Sequence, residues 1–156
     1  MNYDRYAQKL QRFVEFAEKM AEMSTCSRAR CGAVVFPADF SEMTSMGYNG
    51  PATGRPNGSC TGVEGSCGCV HSEQNAVVKI RAPRGSKLIM YSTTAPCLAC
   101  AGLIANCGVV RGVLYGMRYR NVEGLTSLAH AGVGYAQLDS IRKPEDLHHL
   151  LRDWTS

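Results

Sequence analysis

Apolar residues recur along this chain with two different periods, and the alternation between them sketches a layered fold. From residue 3 to 23 the period is helical. Tyr3, Tyr6, Leu10, Phe13, Ala17 and Met20 fall on one stripe, with Arg5, Lys9, Glu15, Glu18 and Lys19 elsewhere. Packing on a core is the commoner meaning of such a stripe, ahead of a membrane-surface role. Cys31-Gly32-Ala33-Val34-Val35-Phe36 reads as a buried strand, Pro37-Ala38-Asp39 turns the chain, and 43–47 suggests a second, antiparallel strand. A helix is expected from about His71 to Ile80, a turn at Pro83-Arg84-Gly85, and a central strand over Lys87-Leu88-Ile89-Met90-Tyr91-Ser92. The next helix runs from about Pro96 to Asn106, with Gly108 as its stop. A strand over 109–115, a helix over 122–131 and a short strand over 135–138 follow, and Pro144 opens a final helix through Leu150 and Leu151. Alternating helices and strands predict an α/β sheet covered by helices on both faces.

The segment 50–70 breaks this rhythm. It is rich in Gly, Pro, Ser and Cys. An irregular stretch of that length inside a compact domain is usually functional or clamped by a metal. The length of 156 residues suits one domain, spanning 1–156, with a real core, and a hydrophobic fraction of 45% sets the chain apart from disordered proteins. The net charge of +4 is mild. It suits a phosphate-bearing small molecule, and no dense Lys/Arg stripe marks a nucleic-acid groove. The start, Met1-Asn2-Tyr3-Asp4-Arg5, lacks the apolar core of a signal peptide, and no run reaches membrane-spanning length. A cytoplasmic location is expected, or a host cytoplasm for a viral gene. In that setting the eight cysteines point to metal sites before disulfides.

The chemistry concentrates in two segments: His71-Ser72-Glu73, then Pro96-Cys97-Leu98-Ala99-Cys100. A catalytic zinc takes three protein ligands and leaves a fourth position open. His71, Cys97 and Cys100 supply three, and Glu73 stands close by without being needed as a ligand. Zinc binds thiolates, and a helix opening at Pro96 would favour both through its positive N-terminal end. Two thiolates and one imidazole leave zinc with no net charge, so water is acidified less than by three histidines. A nearby base then becomes useful. Glu73 fits the need: it takes a proton from water, hands it to a ring nitrogen and later protonates departing ammonia. A purely structural site would want a fourth Cys or His in place of water.

The order H-x-E then P-C-x-x-C is the pattern of zinc-dependent nucleobase deaminases. Further segments resemble the deoxycytidylate (dCMP) deaminases, within the cytidine deaminase-like superfamily. They are Ser24-Thr25-Cys26-Ser27-Arg28-Ala29-Arg30-Cys31-Gly32-Ala33-Val34, Gly47-Tyr48-Asn49-Gly50-Pro51, His71-Ser72-Glu73-Gln74-Asn75-Ala76 and Tyr91-Ser92-Thr93-Thr94-Ala95-Pro96-Cys97-Leu98-Ala99-Cys100. The likeness runs from about Ser24 to Tyr119. It implies a three-layer α/β/α sandwich around a five-stranded mixed sheet. It also implies hydrolysis of dCMP to dUMP and ammonia, supplying dUMP for thymidylate synthesis, with one catalytic zinc.

The same resemblance makes Asn49 a sugar contact, Tyr119 a neighbour of the nucleotide phosphate, and Thr94 and Ala95 substrate-binding positions. Arg28, Arg30 and Arg55 are candidate phosphate partners, since guanidinium matches phosphate geometry. Asn75 either braces the site or satisfies helix backbone. Some relatives hold a second, structural zinc, for which Cys26, Cys60, Cys67 and Cys69 are the matching candidates here; the alternative is a set of unligated thiols. Relatives are commonly oligomeric, often hexamers. They are often activated by dCTP and inhibited by dTTP, and magnesium would accompany such an effector; Gly54-Arg55-Pro56-Asn57-Gly58 could line an effector site. Two positions depart from the usual pattern. Ser72 stands where Ala is usual, placing a hydroxyl beside Glu73, and Cys31 stands where Val is common.

Three competing functions stay open on the sequence. One is deamination of dCTP, or of both dCMP and dCTP. Another is deamination of a base in RNA or single-stranded DNA, against which stand the Gly-Tyr-Asn-Gly segment and a stacking repertoire of four Phe and one Trp. The third is a zinc-stabilised binding module without catalysis, which the presence of Glu73 disfavours.

Overall fold

The computed structural model describes residues 1–156. Helix α1 (Tyr3–Ala21) leads into β1 (Gly32–Pro37) and β2 (Ser45–Tyr48). Short strands β3 (Gly50–Pro51) and β4 (Cys69–Val70) flank the irregular segment. Helix α2 (Ser72–Val78), β5 (Leu88–Thr94), α3 (Leu98–Cys107) and β6 (Val110–Met117) follow. The chain closes with α4 (Glu123–His130), β7 (Gly134–Gln137) and α5 (Pro144–Thr155).

Five strands form one sheet in the order β2-β1-β5-β6-β7. β1 pairs antiparallel with β2 and β5, whereas β5–β6 and β6–β7 are parallel. The expected three-layer architecture around a mixed sheet is thus observed. Its cause is visible in the alternation of side chains. Ala33, Val35, Leu88, Met90 and Val113 face a core completed by α2, α3 and α4. Val34, Phe36, Ile89, Tyr91 and Leu114 face the opposite core, completed by α1 and α5. Strands buried on both faces read as continuous apolar runs, which is why β1 and β5 were legible as strands. Each fully buried Ile, Leu or Phe contributes roughly 2 kcal/mol by leaving water.

Element boundaries agree with the sequence reading to within a few residues, with one difference that matters. Pro96 does not open α3. Cys97 is the N-cap residue, with extended backbone (φ −72°, ψ 172°), and Pro96 precedes it. Gly108 does end the helix, in the left-handed conformation at φ 74°. The segment expected to be irregular carries a two-residue ladder: Gly50 pairs with Val70 and Pro51 with Cys69.

One close approach sets the position of α2. A Cβ on Gly47 would lie 2.4 Å from the Ser72 carbonyl oxygen and 2.6 Å from the Ala76 nitrogen. Only glycine on β2 lets the helix backbone sit there. Ser45 Oγ donates to the Ala76 carbonyl at 2.9 Å and fastens the same contact.

Candidate active site and metal centres

The two motif segments meet where the N-terminal ends of α2 and α3 converge. His71 is the N-cap residue of α2, and its backbone N–H donates to Gln74 Oε1 at 2.8 Å. That bond holds the extended turn that aims the imidazole across to α3. His71 Nδ1 lies 3.5 Å from Cys97 Sγ and 3.3 Å from Cys100 Sγ. Bond lengths usual for zinc (about 2.3 Å to sulfur and 2.0–2.1 Å to nitrogen) place tetrahedral S and N ligands about 3.5 Å apart. The separations therefore fit one ion held by His71, Cys97 and Cys100. Two soft sulfurs and one imidazole also suit zinc over magnesium or calcium.

Electrostatics point the same way. The Cys97 thiol is pulled down to about 3, by the Cys100 thiol first, then by His71 and the Cys100 backbone N–H. Cys100 is pushed up, because it shares its proton with Cys97 and is buried. His71 is raised, chiefly by its contact with Cys97. Three donors thus hold protons in common at one point, and a dication displaces those protons.

Glu73, one residue beyond Ser72 on α2, is 6% exposed. Burial raises its pKa, with partial opposition from its own backbone N–H, His71 and Ser72. A carboxyl held in that way takes up a proton more readily than a solvated one, which suits a group that must accept one and return it. Ser72 is fully buried, and its hydroxyl donates to Glu73 Oε2 at 3.0 Å.

The remaining expected residues fall around this centre in different ways. Asn49 is buried in the single-residue break between β2 and β3. Its Oδ1 accepts from the Cys31 N–H at 2.8 Å and its Nδ2 donates to the Ala29 carbonyl at 2.8 Å. Asn75 Nδ2 donates to the Tyr48 carbonyl at 2.8 Å, one residue before Asn49, and so ties α2 to the end of β2. Ala95 is buried and its N–H is committed to the Met117 carbonyl at 2.8 Å. Thr94 Oγ1 lies 3.7 Å from Cys31 Sγ. Tyr119 is half-buried, its pKa raised by burial, and Cys97, Cys100, Arg120 and Arg28 all act on it electrostatically. Arg30 and Arg55 are exposed and form no ion pair.

Arg120 is the functional candidate that the sequence reading missed. Its guanidinium stands 5.0 Å from the centre of the Tyr119 ring, and its Nη1 is 2.6 Å from Glu64 Oε1. Arg28 Nη2 reaches the other oxygen of Glu64 at 3.9 Å. Two guanidinium groups from distant segments therefore share one carboxylate. The only sequence signal was position, since Arg120 directly follows Tyr119.

A second cluster lies just upstream of His71. The sulfurs of Cys26, Cys60, Cys67 and Cys69 all lie within 4.8 Å of one another. Cys26 Sγ and Cys60 Sγ are 3.8 Å apart, which is about the edge of a tetrahedral zinc–thiolate site. The Cys60 thiol is pulled down to about 6, mainly by the Ser27 hydroxyl, whose Oγ lies at 3.3 Å. Cys69 is raised by burial and by its neighbours. Cys107 belongs to neither cluster; its thiol donates to the Ile104 carbonyl at 3.0 Å. The groove between α1 and the residues around α5 is lined by Leu10, Leu138, Ile141 and Leu147, among others, and contains none of these ligand residues.

Comparison with known proteins agrees with this geometry. The family model "Cytidine and deoxycytidylate deaminase zinc-binding region" matches residues 7–117. The deoxycytidylate deaminase of Schizosaccharomyces pombe is 30% identical over 132 residues, which is 76% of this chain but 40% of that protein. This chain thus spans less than half the length of that relative. The deoxycytidylate deaminase of Mycobacterium phage D29 is 32% identical over 116 residues, covering 65% of this chain and 89% of the phage protein. The crystal structure of the dCMP deaminase of cyanophage S-TIM5 in complex with dCMP and dUMP superposes with a TM-score of 0.72 at 29% identity, covering 82% of this chain and 95% of that one. The match over residues 7–117 shows that the chain belongs to the cytidine and deoxycytidylate deaminase family.

Proposed function

We propose that this chain is a deaminase domain that hydrolyses dCMP to dUMP and ammonia, and so supplies dUMP for thymidylate synthesis. The observation that carries the reading is the convergence of exactly three metal donors, His71, Cys97 and Cys100, beside the buried carboxyl of Glu73. Three donors leave a position for water, whereas a closed structural site uses four. Zinc, when bound, supplies a Lewis acid that makes water nucleophilic near neutral pH. The rest falls to the chain. Glu73 takes a proton from the attacking water and places it on the ring nitrogen next to the amino-bearing carbon. Addition at that carbon gives a tetrahedral centre. Glu73 then takes the proton of the added hydroxyl and delivers it to the amino group; the C–N bond breaks, the carbonyl forms and ammonia leaves. Burial keeps the carboxyl away from bulk water during both transfers.

For the substrate, the likeness to dCMP deaminases supports a deoxynucleotide. Asn49 retains a second amide proton and a second lone pair beyond its two backbone bonds, enough to meet a sugar hydroxyl. Arg28 and Arg120 beside Tyr119 supply the positive charge for a 5′-phosphate. Thr94, the last residue of β5, and Ala95, next to Pro96, are proposed to contact the substrate as well. The four-thiol cluster Cys26, Cys60, Cys67 and Cys69 is proposed to hold a structural zinc, supported by its closed set of four sulfurs. Unpaired thiols at all eight cysteines suit a reducing cytoplasm.

The proposal extends to a homo-oligomer, with a hexamer expected, and to dCTP and dTTP as effectors with magnesium. Support for association comes from exposed Val78, Leu98 and Val122 at the layer formed by α2, α3 and α4. No helix is long and apolar enough to cross a membrane.

The test is ammonia release by zinc-loaded protein from dCMP, dCTP, deoxycytidine and CMP, each with and without dCTP or dTTP as effector. Fast turnover of dCMP supports the reading, and preference for dCTP overturns the substrate while keeping the chemistry. Competition by a short oligonucleotide would favour nucleic acid. Glu73→Gln should keep zinc and fold and lose nearly all turnover; full activity in that variant overturns the role of Glu73.

A further inference from the structure

Ser72 lies in sequence between His71 and Glu73, and its hydroxyl has one partner. The residue is 0% exposed, and its hydroxyl donates to Glu73 Oε2 at 3.0 Å. A buried hydroxyl is nearly always paired, so this bond accounts for the group. That hydroxyl is a side-chain donor held directly on the Glu73 carboxyl.

We infer that Ser72 is a positioning residue for the deamination step, and the inference rests on the deaminase reading above. Rotation of a carboxylate about its last bond is soft, with no sharp rotamer wells. A hydrogen bond from a buried hydroxyl to a charged oxygen is stronger than a neutral one and fixes that rotation. With Oε2 held, Oε1 is the oxygen left to carry the proton between water and the pyrimidine ring. The backbone of Ser72 is already set by its packing on Gly47, so the hydroxyl is free to act on Glu73 alone. Orientation of a proton carrier matters in the transition state and little in the ground state, so the effect belongs in kcat and not in KM.

The experiment compares Ser72→Ala and Ser72→Thr with the parent, with rates expressed per bound zinc. Ser72→Ala should keep zinc content and Tm, hold KM within about two-fold, and lower kcat about five- to twenty-fold. Ser72→Thr retains the hydroxyl and should recover most of kcat. Binding gives a second readout: a nucleotide whose ring is hydrated at the reacting carbon, mimicking the tetrahedral state, should bind Ser72→Ala more weakly in the same proportion. Affinity for dUMP should not change. In a Glu73→Gln background, Ser72→Ala should add no further loss. Parental kcat in Ser72→Ala, a rise in KM that accounts for the loss, or an equal loss in the Glu73→Gln background overturns the inference. Absence of turnover in the parent overturns the deaminase reading and the inference with it.

Discussion

Asn49 holds Cys31 in place: the amide oxygen of Asn49 accepts the Cys31 backbone N–H at 2.8 Å, and the amide nitrogen donates to Ala29 two residues earlier. One buried side chain thus clamps the approach to β1, the segment that also carries Cys26 and Arg28. Asn49 itself is a single-residue break in the strand, with β3 resuming at Gly50. Asn49→Ala should therefore cost stability as well as substrate affinity. Two hydrogen bonds at about 1 kcal/mol each predict about 2 kcal/mol, or a fall in Tm of about 4–8 °C. KM for dCMP should rise in the same variant. Thermal melts and steady-state kinetics on one preparation check both, and an unchanged Tm would sink the clamp.

Metal content tests the second cluster. Parent protein should bind two zinc ions per chain, and Cys67→Ser should bind one. Cys69 lies two residues before His71, and β4 pairs with β3 directly after Asn49. Loss of the four-thiol ion should therefore loosen both sides of the catalytic centre. Cys67→Ser is expected to weaken the remaining zinc measurably in chelator competition. One zinc in the parent, or unaltered chelator resistance in the variant, counts against the arrangement.

Much of this was readable in the residues, and the remainder has a physical reason for being hidden. The strands were legible because both faces are covered, as the unbroken apolar runs of β1 and β5 record. The His71, Cys97 and Cys100 cluster was legible because zinc demands a fixed set of residue types at short spacings. Pro96 misled, since it precedes the N-cap when a thiol-bearing residue takes the cap position. The Asn49 clamp depends on a carbonyl and an N–H, which every residue has, so no pattern announces it. The pairing of Arg120 with Glu64 spans 56 positions of sequence and involves exposed side chains, for which composition gives no register.

That pairing has a consequence for substrate choice. Glu64 is 63% exposed, and exposed ion pairs are worth little, so under the proposed function a substrate phosphate would replace its carboxylate on the two guanidinium groups. Arg120→Ala should raise KM for dCMP about ten-fold, equivalent to about 1.4 kcal/mol, and leave KM for deoxycytidine unchanged. Glu64→Gln should lower KM for dCMP slightly, because nothing then competes for the arginines. An equal change for nucleotide and nucleoside in Arg120→Ala would remove the phosphate role.

Alkaline pH should open the core that α1 shares with the sheet. Tyr6 and Tyr91 are both pushed up to about 12, by burial first, with Asp39 adding to the effect on Tyr6, and Glu18 and Asp139 on Tyr91. The Tyr6 hydroxyl donates to the Ala38 carbonyl, and its ring packs edge-on against Phe40 at 4.8 Å. A free tyrosine ionises near 10. Between about 10 and 12 the folded protein therefore keeps phenolic protons that the unfolded chain has released. The native state binds more protons than the unfolded one in that window, so stability is fully present below about 10 and is lost as the pH rises toward 12. Tyr6 and Tyr91 should resist ionisation until the protein unfolds. Tyrosinate absorbance followed together with circular dichroism checks this. Reversible titration of Tyr6 and Tyr91 near 10, with the fold intact, would show that neither phenol is held by the core.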